Sequence, residues 1–223
     1  MDRLDRQMRV RRAAVLIPLI EENGAYSLLY EVRAYDLDVQ PGDVCFPGGG
    51  IEEGETAEES VLRETEEELL ISRGQITLLE AMPDVNGPGA VVTPFVGILH
   101  DYRGTFSGAE VDHVFTVPLS YLRAHPPAVY PAVYEARIPD DFPFEKVHGG
   151  RDYEFRSMRH DILFYDIPET VRTVYAHAPA EHLRASSGQE DGAFALPVLW
   201  GFTAKLTHFF LNSNTGPRTP RPS

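Results

Sequence analysis

The stretch RETEEELL, Arg63 to Leu70, sets four glutamates and one arginine within six residues before the chain turns apolar. Like charges three and four residues apart on a helix repel by a few tenths of a kcal/mol, so solubility alone would favour alternating signs. At ~100° per residue, Glu64, Glu67 and Glu68 project within an arc of roughly 100°, read here as nearly opposite the apolar stripe of Val61 and Leu69. Convergent carboxylates suit a hard divalent ion such as Mg²⁺, which takes oxygen ligands and keeps waters that phosphate oxygens replace. The competing explanation is a solvated acidic face. Glu66 points elsewhere, and Arg63 stands four residues from both Glu59 and Glu67, within pairing reach of either.

Several elements must position that helix. AAVLIPLI, the turn EENG and AYSLLYEVRA read as a strand hairpin, and QPGDVCFPGGG as a Pro/Gly-punctuated loop around a short strand. From Thr56 the pattern is helical, with Thr56 as N-cap and Glu59 closing a capping box; Ala57, Val61, Leu62, Thr65 and Leu69 fall on one packing face. ITLLEAM and AVVTPFVGIL predict strands around the turn-rich PDVNGPG, and VFTVPLSYL a strand end leading into a short helix. AVYEARI, YEFRS and DILFYDI are further strand candidates, joined in part by the polar loop KVHGGRD. Residues 169–192 carry little pattern and read as an irregular insertion. WGFTAKLTHFFL predicts a terminal helix with Phe202, Leu206, Phe209 and Phe210 as its stripe, and residues 212–223 a disordered tail. The absence of repeats or an interdomain linker predicts one mixed α/β domain over residues 1–211.

The 223 residues, 43% of them hydrophobic, are enough for a sizeable core. Twenty Lys and Arg against 34 Asp and Glu leave a net charge of −14, which disfavours a nucleic-acid partner. A single cysteine, Cys45, excludes an intramolecular disulfide and suits a reducing cytoplasm; inside an apolar strand it reads as a small core residue, with no neighbouring base to make it a nucleophile. The opening MDRLDRQMRVRR reads as a basic lead-in to a buried strand, since two aspartates and a short apolar run argue against a targeting peptide. No segment approaches the ~20 apolar residues of a membrane span. The eight histidines show no HxxxH or HExxH pairing, Gly48 to Gly50 is not a P-loop, and no D-x-D-x-D-G loop marks a calcium-binding protein.

Read from Gly49, GGIEEGETAEESVLRETEEELLI resembles the Nudix box, G-x5-E-x7-R-E-U-x-E-E-x-G-U, in register at Gly49, Glu55, Arg63, Glu64, Glu67, Glu68 and Ile71. Thr65 replaces an apolar residue. Leu70 replaces the glycine near the helix C-terminus, so the helix is expected to end differently or slightly later. The resemblance implies an αβα sandwich with a mixed central sheet and a hydrolase of nucleoside diphosphates linked to another moiety, dependent on Mg²⁺ or Mn²⁺. It implies Glu64 and Glu68 as principal metal ligands, Glu67 as a further or water-mediated one, and the Gly49 carbonyl as a backbone ligand, with Glu55 and Arg63 structural. The ion would screen the diphosphate charge and acidify a bound water. Glu64 is one candidate for the base that takes the proton; Glu110 and Asp112 outside the box are others.

The preceding stretch, SLLYEVRAYDLDVQPGDVCFPGG, resembles the extra motif of the coenzyme A pyrophosphatase branch. Its G-x3-F-P-G-G end is intact at Gly42, Phe46, Pro47, Gly48 and Gly49. In its front half Leu28, Leu29 and Arg33 survive with shifted spacing, Tyr30 stands for a threonine, and a later arginine is lost within DLDVQ. VFTVPLSYL, HGGRDYEFR and LWGFTAKLTHFFL also resemble segments of that branch. The resemblance implies coenzyme A or an acyl derivative as substrate, with Arg33, Phe46, Gly48, Gly49 and Arg151 facing it and Arg156 as a further cation. A pyrophosphatase for another derivative such as ADP-ribose, or a non-catalytic nucleotide sensor, are the alternatives. The marks of ADP-ribose and dinucleoside-polyphosphate hydrolases do not fit Asn86 to Gly89, and the intact acids favour an enzyme. A homodimer stands as one option for the assembly.

Overall fold

An unbroken apolar run, AAVLIPLI over residues 13–20, gives the first strand two buried faces, and the rest of the architecture is built on them. The computed structural model describes residues 11–22, 24–87, 89–175 and 198–213. In β1 (Arg11–Glu22), Ala14, Leu16 and Ile20 enter one core while Ile17 and Leu19 enter the other. β2 (Ala25–Arg33) returns antiparallel, with Leu19 opposite Leu28. β7 (Ala90–Leu99) lies parallel to β1, so the sheet is mixed. β5 (Ile76–Ala81) and β8 (Val111–Pro118) extend it antiparallel on either side, and β11 (Thr173–Tyr175) caps the β8 edge, giving the order β11-β8-β2-β1-β7-β5. Three short strands hang on this path: β3 (Val44–Cys45) on β2, β4 (Gly48–Gly50) on β1, and β6 (Val85–Gly87) on β7.

Both faces are covered. The helix α1 (Ala57–Leu69) packs Val61, Leu62 and Leu69 on the face that carries Ala14, Leu16 and Leu29. On the other, α2 (Leu119–Ala124) and α3 (Gly201–Asn212) bury Leu119, Leu122, Leu206 and Phe210 against Ile17, Tyr30 and Val117. The expected αβα sandwich with a mixed central sheet is the architecture found. A second sheet, β12 (Leu199–Trp200), β10 (Met158–Tyr165) and β9 (Ala128–Tyr134), adds Leu163, Tyr165 and Leu199 to this second core.

The departures from expectation have local causes. PDVNGPG contains β6, which forms a hairpin with β7. YEFRS is not a strand: the register pairs Tyr134 with Met158, leaving residues 135–157 as the connection, and AVYEARI accordingly ends its strand at Tyr134. β9 tolerates Pro131 because it is an edge strand. Of the 169–192 segment, Glu169–Val171 form a 3₁₀ turn and Thr173–Tyr175 form β11, while residues 176–192 and 214–223 lie outside the described residues. Phe209 of the terminal stripe is exposed, and Ala204 and Thr207 are buried with Leu206 and Phe210.

Candidate active site

The acid helix is fixed at its start by the predicted capping box. The Glu59 N–H donates to Thr56 Oγ1 at 3.2 Å and the Thr56 N–H donates to Glu59 at 2.9 Å. Glu59 is thereby occupied, so Arg63 pairs elsewhere. Its guanidinium grips Glu55 in a fork, Nε at 2.9 Å and Nη2 at 3.1 Å, and reaches Glu64 at 2.9 Å and Glu67 at 3.4 Å. Glu55 also accepts the Glu52 N–H at 3.0 Å. Arg63 and this N–H hold its carboxyl down at about 2. Buried Thr65 satisfies its hydroxyl by donating to the Val61 carbonyl at 2.6 Å. At the far end the helix stops where a glycine would have stopped it. Leu70 itself adopts the left-handed conformation, φ 52° and ψ 45°, at a cost of about 1–2 kcal/mol, so a different or later end is not found.

The three carboxylates do not stand nearly opposite the packing stripe. Seven residues turn the helix through almost two full circles, so Glu68 stacks beside Val61 and is only 6% exposed. Glu64 follows with a side chain 17% exposed, whereas Glu67 is 62% exposed and accepts from Arg63. The glycine-rich loop meets the two inner acids. The Gly48 N–H donates to Glu68 Oε2 at 2.8 Å. A Cβ on Gly49 would come within 2.5 Å of the Glu64 carboxyl carbon, so only glycine leaves that acid its place. Gly48 is glycine for a different reason: at φ +140° its Cβ would strike the backbone of Ala14 and Val15. Phe46 is buried and stacked on Tyr30, ring centroids 5.0 Å apart, so it supports the loop from the core and offers no exposed ring to a ligand.

One acid of this cluster was not singled out in the sequence. Glu31, in mid-β2, is 1% exposed, with Oε1 lacking a hydrogen-bond partner among the described residues and Oε2 facing the Cys45 thiol at 3.9 Å. Its signal was a charge inside the apolar run SLLYEV, on the face that β2 shares with Leu29 and Arg33. Burial, then the charge of Glu68, pushes its carboxyl well above the ordinary range. Burial likewise raises Glu64, against the pull of Arg63, and pushes Glu68 up to about 8, against the Gly48 N–H. Cys45 is raised by burial and then by Glu31, which leaves it a protonated thiol and no nucleophile.

Exposed Glu110 adds its charge to Glu31, Glu64 and Glu68 and so belongs to the cluster. Its backbone carbonyl accepts from Ala34, anchoring β8 beside β2. Asp112 sits at a bulge where the register passes from Val32–His113 to Arg33–Val111, and its carboxylate is taken by His113 Nδ1 at 2.7 Å. Arg33 lies at the edge of the cluster, with Nε donating to the Val39 carbonyl at 3.2 Å while its charge acts on Glu31 and Glu68. Arg151 is placed in a 3₁₀ turn over the Phe144 ring at 5.4 Å, and Arg156 is exposed on the same connection.

The donor set is oxygen-rich and suits a hard divalent ion. Among the described residues no three acidic, histidine or cysteine side chains are gathered closely enough to hold an ion as they stand. The fit rests on two structural signs: the buried Glu31 oxygen without a donor, and the cradle that Gly49 keeps open for Glu64.

Residues 10–130 match the NUDIX domain model. The mouse protein named peroxisomal coenzyme A diphosphatase NUDT7 is 38% identical over 120 residues, 52% of this chain and 50% of its own. The match therefore spans half the length of that relative. Nudix hydrolase 3 of Caenorhabditis elegans is 36% identical over 206 residues, 87% of this chain and 70% of its own. A solved C. elegans Ap4A hydrolase complex is 22% identical with a TM-score of 0.43, covering 52% of this chain and 85% of that one. With more than half of its length matched by the family model, the chain belongs to the Nudix family.

Proposed function

We propose that the chain is a metal-dependent pyrophosphatase that hydrolyses coenzyme A or its acyl derivatives to 4′-phosphopantetheine, acylated where the substrate was, and adenosine 3′,5′-bisphosphate. The observation that carries this reading is the pairing of the G-x3-F-P-G-G loop, Gly42 to Gly49, with the acid helix through Gly48 and Glu68. The mouse relative named a coenzyme A diphosphatase supports it over the length they share. Unbroken retention of Glu64, Glu67 and Glu68 favours an enzyme over a sensor.

In this reading Glu64, Glu68 and the Gly49 carbonyl hold Mg²⁺ or Mn²⁺, with Glu67 contributing from outside, directly or through water. Bound there, the ion supplies charge screening for the diphosphate and acidifies water near neutral pH. Arg63 keeps Glu64 from swinging into solvent, and the Gly48 N–H fixes the rotamer of Glu68. Exposed Glu110 takes the water's proton as the new oxygen–phosphorus bond forms and the bridging oxygen leaves on the opposite side. Asp112, already engaged by His113, is the weaker candidate for that task. Arg33 contacts substrate phosphate; Arg151 would do so only if its connection turned toward the loop.

The test is a panel of coenzyme A, acyl-coenzyme A, ADP-ribose, NADH and diadenosine tetraphosphate, with and without Mg²⁺ and with products identified. Release of adenosine 3′,5′-bisphosphate from the first two alone is the expected result. Faster turnover of ADP-ribose would move the chain to another branch.

A further inference from the structure

Glu31 lies outside the box and has no part in the reading above. It sits at the middle of β2, opposite Cys45 on β3 and Val114 on β8, with the sheet covering it on both sides. A carboxylate so deeply buried loses water's hydrogen bonds, and the protein gives Oε1 none in return and Oε2 only a thiol at 3.9 Å. A thiol is a weak donor. Orphaned buried oxygens are rare enough in folded chains to require a cause.

The surroundings narrow the cause. Glu68 and Glu110 act on Glu31 with like charge, while Arg33, the cation among the groups acting on it most strongly, directs Nε to the Val39 carbonyl. The acids that act on one another by charge come from three elements: Glu31 from β2, Glu64 and Glu68 from α1, Glu110 from the loop before β8. Hydrogen-bond donors from the chain itself serve Glu64 and Glu68 but not Glu31 Oε1. A divalent cation would answer both the missing donor and the surplus of negative charge.

We infer that Glu31 supplies a carboxylate oxygen to the divalent ion held by the box helix, so that the centre in this chain draws a ligand from the sheet as well as from α1. The inference rests on the reading of Glu64 and Glu68 as metal ligands. It assigns a role to the acid inside SLLYEV, which lies on β2 and outside the box helix.

Substrate-free Mn²⁺ binding to the full chain tests it, read from the free-ion spin-resonance signal for wild type, Glu31→Gln, Glu31→Ala and Glu68→Gln, with unfolding temperatures recorded in chelator and in Mn²⁺. Expected is a loss of Mn²⁺ affinity of at least about tenfold in both Glu31 variants, of the order seen when a metal site loses a supporting group. Glu31→Gln in chelator should melt at or above the wild-type temperature, because a buried acid lacking a donor has been removed, while its stabilisation by Mn²⁺ shrinks. Wild-type affinity in either variant, beside a clear loss in Glu68→Gln, overturns the role of Glu31 and leaves the family reading intact. A chelator melting point below wild type in both variants also overturns it, by marking Glu31 as a structural residue. Absence of Mn²⁺ binding in the wild type itself removes both readings together.

Discussion

Two sets of acids lie around α1, and the chain treats them in opposite ways. Glu55 receives a forked guanidinium from Arg63 and a backbone N–H from Glu52, and its carboxyl is held down at about 2. Glu31 and Glu68, a few ångströms into the sheet side, receive between them one N–H and one distant thiol, and burial pushes both upward. The same side-chain chemistry is therefore used once as a clamp, with its donors built in, and once as a site with few hydrogen-bond donors among the described residues. An acid's place in a motif does not distinguish these uses. Its donor inventory does, since a carboxylate satisfied by the chain has little to offer an ion.

The largest expected effect follows from removing the two inner acids of the helix, Glu68 from the undersupplied set and Glu64 beside it. The double variant Glu64→Gln, Glu68→Gln should lose metal-dependent turnover by at least about 100-fold, since even supporting groups around a metal cost 10–100-fold. Its unfolding temperature in chelator should not fall. Steady-state kinetics with Mg²⁺ and a melting curve check the two halves, and retained turnover would break the comparison outright.

The two loop glycines sharpen it next. Gly48→Ala forces a side chain onto a backbone at φ +140° and into Ala14, which should cost at least about 1–3 kcal/mol of stability. Gly49→Ala meets only the movable end of Glu64, so stability should change little while Mn²⁺ affinity drops about tenfold. Chemical denaturation and Mn²⁺ titration of the pair separate a glycine required by the fold from one required by the site.

Much of this was readable in advance, for identifiable reasons. β1, β2 and β7 announced themselves because each is an apolar run bounded by turn residues and long enough to bury two faces, and Thr56 with Glu59 announced the start of α1 because capping is local. Leu70 was legible as an oddity, yet its left-handed backbone was not, because nothing in a leucine specifies it. β6, β11 and the β9–β10 register depend on which edge a short segment finds, which is tertiary information. Spacing singled out Glu64 and Glu68 but misjudged the exposure of Glu68, because seven residues bring it to within about 20° of Val61, on the packing side and not opposite it. Glu31 escaped because motif reading treats a strand charge as noise, and Phe46 was misassigned because a motif aromatic beside glycines looks like a platform until its stacking on Tyr30 is seen.

The opposite pKa directions give the clamp and the site opposite pH slopes in metal-free protein. Glu55, ordinarily titrating near 4.5, is depressed to about 2 in the fold; its contribution is present above 4.5 and is lost as pH falls toward 2. Glu68 is raised to about 8, so the folded state holds a proton that the unfolded state has released, and stability contributed below 4.5 is lost as pH rises through 8. Melting temperatures in chelator should therefore decline from mildly acidic to mildly alkaline pH in wild type and decline less steeply in Glu68→Gln, where the raised Glu31 and Glu64 still contribute. Glu55→Gln should instead remove part of the acid-side loss. A decline equally steep in Glu68→Gln would mean that Glu68 is not the group responsible.

Glu67 provides the smallest and most discriminating case, because the sequence ranks it with Glu64 and Glu68 while the structure sets it apart. At 62% exposure, with Arg63 at 3.4 Å, its side chain is solvated and its ion pair is worth only about 0.2–1 kcal/mol. Glu67→Gln should therefore move the unfolding midpoint by little, and it should weaken Mn²⁺ by less than about tenfold because water can stand between this acid and the ion. Arg63 keeps its stronger partners Glu55 and Glu64 in this variant, so the clamp stays closed. A loss in Glu67→Gln equal to that of Glu68→Gln would show that ligand strength follows position in the motif, and that burial and donor supply, the basis for separating the two sets of acids, do not govern which of them holds the ion.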